Sequence, residues 1–138
     1  MRFMIIRKGD AETEAGTMPS RELAQAMMDH HEEMGRHLKI LDGNGLHPTA
    51  RGAKVKFTKG MPKVIDGPFA ETKEVVAGYT LVEAASLEEV LEWATKWPPL
   101  DGHGEVELEI RRVYEVEDFG DVFEGDLKDQ HGRVMKGA

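Results

Sequence analysis

The chain has 138 residues, enough for one hydrophobic core. Its 18 basic and 26 acidic residues leave a net charge of −8 with histidine neutral, which opposes binding to nucleic-acid phosphates and to anionic membrane surfaces. The absence of cysteine excludes disulfides, thiolate catalysis and Cys-based zinc or iron–sulfur sites.

Phe3-Met4-Ile5-Ile6 is rich in β-formers and apolar at both parities, which predicts a strand covered on both faces. The run is too short for a signal peptide or a membrane span, so a cytoplasmic location is expected. Gly9 to Gly16 reads as a polar loop. From about Pro19 the stripe Leu23, Met27, Met34, with His30 or His31, predicts a helix that stops at Gly35. A short strand, His37 to Leu41, then enters a turn at Asp42-Gly43-Asn44-Gly45.

Ala53 to Phe57 alternates Val55 and Phe57 with Lys54 and Lys56, and Lys63-Val64-Ile65 answers it across Lys59-Gly60-Met61-Pro62, a hairpin. Gly78 to Glu83 is a further strand with Tyr79 and Leu81 on one face and Val82 on the other. Ser86-Leu87-Glu88-Glu89 has the form of a capping box. The helix it opens carries Leu87, Val90, Leu91, Ala94 and Trp97 and stops at Pro98-Pro99. Glu105 to Val113 alternates cleanly, with Val106, Leu108 and Ile110 against Glu105, Glu107, Glu109 and Arg111. Beyond Val113 the chain turns acidic. Phe119 and Phe123 are placed to dock, and residues 120–138 are expected to form a flexible tail after a domain spanning 1–119.

Strand, helix, strands, strand, helix, strand is the order of an α+β, ferredoxin-like unit with two helices on one sheet face. A doubly apolar first strand then asks for cover on the other face, and a second copy of the chain supplies it; a homodimer is predicted.

Asp66-Gly67-Pro68-Phe69-Ala70-Glu71-Thr72-Lys73-Glu74 sets three carboxylates and a lysine in one short stretch between strands. Gly67-Pro68 turns the backbone sharply, and Phe69 is expected to anchor the loop in the core. Glu71, Lys73 and Glu74 can shift one another's titration if partly buried, or the charges are solvated or paired across the dimer. On the last strand, Arg111 among glutamates such as Glu109 suits a carboxylate or phosphate ligand, or it neutralises its neighbours. Candidate acids and bases are Asp66, Glu71, Glu74 and His47, and candidate ligand contacts are Lys73, Glu109 and Arg111. His30, His31 and His37 lack the spacing of a zinc-binding helix, so no metal is expected. No dinucleotide fingerprint, phosphate loop or nucleophile elbow is present, and no cofactor is implied.

Asp66-Gly67-Pro68-Phe69-Ala70-Glu71-Thr72-Lys73-Glu74 followed by Val75, Val76, Ala77, Gly78 and Tyr79 resembles the signature of the DGPF subgroup of the YCII-related proteins. The resemblance extends through Gly45-Leu46-His47-Pro48, Gly52-Ala53-Lys54-Val55, Glu92-Trp93-Ala94 and Glu109-Ile110-Arg111. It implies a dimeric α+β barrel, two ferredoxin-like units with their open sheet faces around a cavity. The reaction of the subgroup is mostly unassigned. YCII relatives are proposed to use a His–Asp pair; here Trp97-Pro98 stands where many relatives have Asp-Pro, and the early helix offers no histidine at a matching position. Two readings follow: a small-molecule enzyme or binding protein with a polar cavity for a small polar or anionic ligand, or a non-catalytic dimeric module whose charged loop locks the dimer or docks a partner.

Overall fold

A computed structural model describes residues 1–70 and 74–136. Four antiparallel strands form the main sheet: β1 (Arg2–Lys8), β2 (Lys39–Gly45), β5 (Val76–Glu83) and β6 (Leu108–Arg112), in the spatial order β2-β5-β1-β6. Helix α2 (Arg21–Met34) joins β1 to β2, and α3 (Leu87–Ala94) joins β5 to β6. This is the ferredoxin-like path expected from the element order. Between β2 and β5 the chain inserts a separate hairpin, β3 (Ala53–Thr58) and β4 (Met61–Asp66).

Phe3 and Ile5 on β1 point at the helices and pack with Met34, Leu38, Val82, Ala84, Val90 and Trp93. Ile5, Met34, Val82 and Val90 are fully buried, each stabilising the fold by roughly 1.5–3 kcal/mol. The other parity of the sheet is half-covered. Met4 and Ile6 sit there beside Leu81 and Tyr79 on one neighbour and Arg111 and Glu109 on the other. β1 is a central strand, and on its second face Met4 and Ile6 form with Leu81 and Tyr79 a narrow apolar strip bordered by polar and charged side chains.

Several local expectations shift. Gly9–Gly16 holds a short helix, α1 (Ala11–Glu14), because Asp10 accepts from Thr13 N at 2.8 Å and Thr13 Oγ1 accepts from Asp10 N at 2.8 Å. Ser20, not Pro19, opens α2 by accepting from Leu23 N, and Gly35 closes it as expected. Asp42-Gly43-Asn44-Gly45 is not a turn but the second half of β2. Pairing with β5 outweighs local turn preference there, helped by Tyr79 Oη, which donates to Asp42 Oδ2 at 2.9 Å and accepts from Asn44 Nδ2 at 3.0 Å. The β3–β4 turn is the two-residue Lys59-Gly60, both with positive φ (52° and 81°), which suits the strand twist of a tight hairpin.

Ser86 caps α3 by accepting from Glu89 N, while the Glu89 carboxylate reaches Ala85 N rather than Ser86 N. The buried side of α3 is Val90, Trp93 and Ala94, with Leu87 and Leu91 more exposed than their spacing predicts. Strand β6 begins at Leu108 because residues 101–104 form a 3-10 turn with Gly102 and His103 at positive φ, which delays the extended run. Past Val113 the chain is not a featureless tail. A 3-10 segment (Val116–Val122) is followed by α4 (Asp126–Lys136), and Tyr114, Phe119, Phe123 and His131 pack ring against ring in succession, tilted or edge-to-face, with centroids 4.9 to 5.2 Å apart. No helix among the described residues is long and apolar enough to cross a membrane.

Candidate functional site

The end of the main sheet that carries Lys8, Val76 and Leu108 is where the charged loop meets the last strand. Lys8 N donates to Glu107 O at 3.0 Å, and Gly9 N donates to Val75 O at 2.6 Å, which ties both segments to the end of β1. Lys8, Glu74, Glu107, Leu108 and Glu109 line an open depression of about 440 Å³ there. Glu109 sits between two cations, Lys8 Nζ at 4.0 Å and Arg111 Nη1 at 3.9 Å. Both distances exceed a hydrogen bond, so these cations are held near the carboxylate without being saturated by it.

The structure brings Glu74 and Glu109 into one depression; Arg111 is not among its lining residues and is connected to it only through the long contact with Glu109. Leu108 and Ile110 face the helices while Glu109 and Arg111 face away, as the alternation predicts. Asp66 lies at the exposed end of β4, paired in register with Ala53, and is not among the residues lining the depression. Glu71 and Lys73 lie outside the described residues. His47 is exposed, with its Nδ1 3.4 Å from Arg51 Nη1, and lines a different depression of about 300 Å³ with Thr13, Thr17, Met18 and Pro48.

Much of the Asp66–Glu74 stretch is explained by packing. A Cβ on Gly67 would lie 1.6 Å from Thr49 O, so the backbone of the loop presses directly against the 49–50 peptide. Gly67 N donates to Gly52 O at 3.0 Å, and Phe69 N donates to Thr49 Oγ1 at 3.0 Å. Thr49 N in turn donates to Glu14 Oε1 at 3.0 Å, and Thr49 Oγ1 donates to Glu14 Oε2. Phe69 is only partly buried and lies under Lys54, whose Nζ is 4.2 Å from the ring centroid; it does not enter the core. The ring stays outside because the loop closes on the 49–52 backbone, at the base of the hairpin.

The histidines of α2 are structural partners. His30 Nε2 donates to Trp93 O at 2.9 Å; His31 Nδ1 donates to Met27 O at 2.9 Å, and its Nε2 accepts from Thr80 Oγ1 at 3.2 Å. Burial pushes the His31 imidazole below its ordinary range; the bond to Met27 opposes this in part, and the neighbouring His30 adds to it. His103, in the 101–104 turn, lies 3.1 Å from both Glu12 oxygens, and that contact raises its proton affinity.

With this geometry in view, residues 1–117 match the YCII-related domain. The chain belongs to the YCII-related family. An uncharacterized protein of Rhizobium meliloti (strain 1021) is 47% identical to this YCII-related chain over 49 residues, which is 36% of the chain and 40% of that relative's length. Among solved structures, 5-chloro-2-hydroxyhydroquinone dehydrochlorinase from Burkholderia phenoliruptrix AC1100, in complex with 2,5-dihydroxybenzoquinone, is 16% identical with a TM-score of 0.45. That alignment covers 86% of this chain and 98% of the other.

Sequence reasoning missed two groups. Lys8 continues the outward parity of Met4 and Ile6, a signal present in the alternation of β1. Tyr79, Asp42 and Asn44 became neighbours only through the β2–β5 register, which has no local trace.

Proposed function

We propose that this YCII-related chain is of the DGPF type and acts as a homodimer of barrel form. In that assembly the half-covered sheet face of each copy helps enclose a polar cavity for a small anionic or polar molecule, as an enzyme or a ligand-binding protein. The observation that supports the reading is the shared depression: Glu74 from the loop and Glu107 and Glu109 from the last strand segment meet Lys8 there, with Leu108 as the apolar residue of its lining. A concave site where a few charged groups converge is a reasonable place for a small polar ligand.

In this reading Arg111 and Lys8 take the anionic group of the ligand, exchanging their long contacts with Glu109 for shorter ones. Glu74, across the depression, is the candidate acid or base. Asp66, Glu71, Lys73 and His47 remain secondary candidates on the strength of sequence.

The test is a thermal-shift screen of small carboxylates, phosphates and phenolic acids on the purified protein, since a bound ligand raises the midpoint by mass action whatever the reaction. Arg111→Ala and Glu74→Gln should each abolish most of the shift given by a hit. Variants that keep the full shift and any turnover would sink the proposal. An alternative, a non-catalytic interaction module, draws on the exposed apolar residues of the hairpin.

A further inference from the structure

The β3–β4 hairpin makes few contacts with the rest of the chain. Phe57 is 64% and Val64 66% exposed, and Val55 and Met61 are exposed with them. Register puts Val55 opposite Val64 and Phe57 opposite Pro62, so one face of the hairpin is a continuous apolar stripe. On the other face Lys56 stands directly opposite Lys63, a like-charge pair that costs stability without an anion nearby. A two-stranded hairpin on its own is marginal in water, so this arm needs cover.

The arm is also the basic part of an acidic protein. From Ala53 to Asp66 it carries four lysines and one acid. The complementary surface is the segment after β6: residues 114–126 hold six acids and no base. That segment also exposes apolar area, with Tyr114 71% and Val122 62% exposed. Glu115 is paired with Arg2 and Asp118 lies near Arg112, leaving Glu117, Asp121, Glu124 and Asp126 without an ion pair among the described residues.

The two surfaces leave opposite ends of one sheet. The arm springs from the end that carries Gly45 and Val76; the acidic segment follows Arg112 at the end that carries Arg2 and Glu83. The length of β1, about 20 Å at roughly 3.3 Å per residue, separates these ends. A two-fold axis perpendicular to the strands sets the arm end of one copy beside the opposite end of the other, and does so twice.

We propose that the hairpin is a clasp whose lysine face, Lys56 and Lys63 with Lys59 at the turn, docks on the carboxylates of segment 114–126 of a second copy. The clasp rests on the homodimer proposed above and adds to it the element that holds the copies together.

The test uses the full chain. Sedimentation should give a dimer, and Lys56→Glu/Lys63→Glu should raise its dissociation constant at least about tenfold by placing carboxylates against carboxylates. Circular dichroism checks that the variant is folded. Independently, zero-length carbodiimide cross-linking of a mixture of isotope-labelled and unlabelled wild-type chains should join Lys56, Lys59 or Lys63 of one copy to Glu117, Asp121 or Glu124 of the other. A monomeric wild type, a folded variant that dimerises as well as wild type, or a dimer whose arm lysines cross-link only elsewhere overturns the clasp. Ligand shifts lost in Arg111→Ala report on the cavity separately, so a failed clasp and a failed cavity are distinguishable.

Discussion

Arg7 grips Asp101 with two N–H donors, Nη2 at 2.7 Å and Nε at 3.2 Å, across 94 residues of sequence. Trp97 Nε1 adds a third bond to Asp101 Oδ2 at 2.9 Å, and Arg7 Nη1 also reaches Asp10 Oδ2 at 3.1 Å. The pair joins the central strand to the turn that follows α3. Burial disfavours the Arg7 charge, but the bond and the charge of Asp101 outweigh it and its proton is held more tightly than usual. Both side chains are about nine-tenths buried.

Removing either partner should be costly because it leaves the other's nearly buried charge with less compensation, Asp10 alone for Arg7 and the Trp97 bond alone for Asp101. Asp101→Ala and Arg7→Ala are each expected to destabilise the fold by about 3–5 kcal/mol, with little additivity in the double variant. Urea unfolding of the two single variants and the double variant measures this. Additive single effects would show that the two groups act separately.

Gly67 makes a second case. Since a Cβ there would overlap Thr49 O, Gly67→Ala should force the loop off the 49–52 backbone and cost about 2 kcal/mol or more. Gly45→Ala, where an added Cβ meets nothing, is the control and should cost about 1 kcal/mol at most. Equal thermal midpoints for the two variants would contradict the packing account of the loop.

His31 makes stability depend on pH. Its folded imidazole is held below the ordinary value, so the unfolded chain binds protons first as pH falls. The stabilisation is fully present above the unfolded value, about 6.5. It drains away as pH drops from there towards the folded value. The unfolding midpoint should therefore be level above that value with respect to this group and decline below it. His31→Asn should flatten that decline, read by denaturation at a series of pH values. A variant with an unchanged slope would assign the dependence to other groups.

Arg111 is 72% exposed and its one described ion pair is long. Arg111→Ala should change stability by no more than about 0.5 kcal/mol. Set beside the ligand-shift loss expected of the same variant, this separates a binding role from a structural one. A large loss of stability would place Arg111 in the scaffold.

By itself the sequence determined the order of elements, both long helices with their caps at Gly35 and Ser86, the outward parity of Glu109 and Arg111, and the specific Asp66–Glu74 stretch. All of these rest on local signals: alternation, capping chemistry and Gly-Pro punctuation act within a few residues. Tertiary structure decided the rest. Asp42-Gly43-Asn44-Gly45 became strand because pairing with β5 outweighs a turn preference, and α1 formed on a cap too short to stand out in a polar run. The charge-dense Asp66–Glu74 stretch owes its glycine to the approach of Thr49 and lends Glu74 to a depression completed by Lys8 and Glu109. Those contacts join residues far apart in the chain, and no local pattern encodes them.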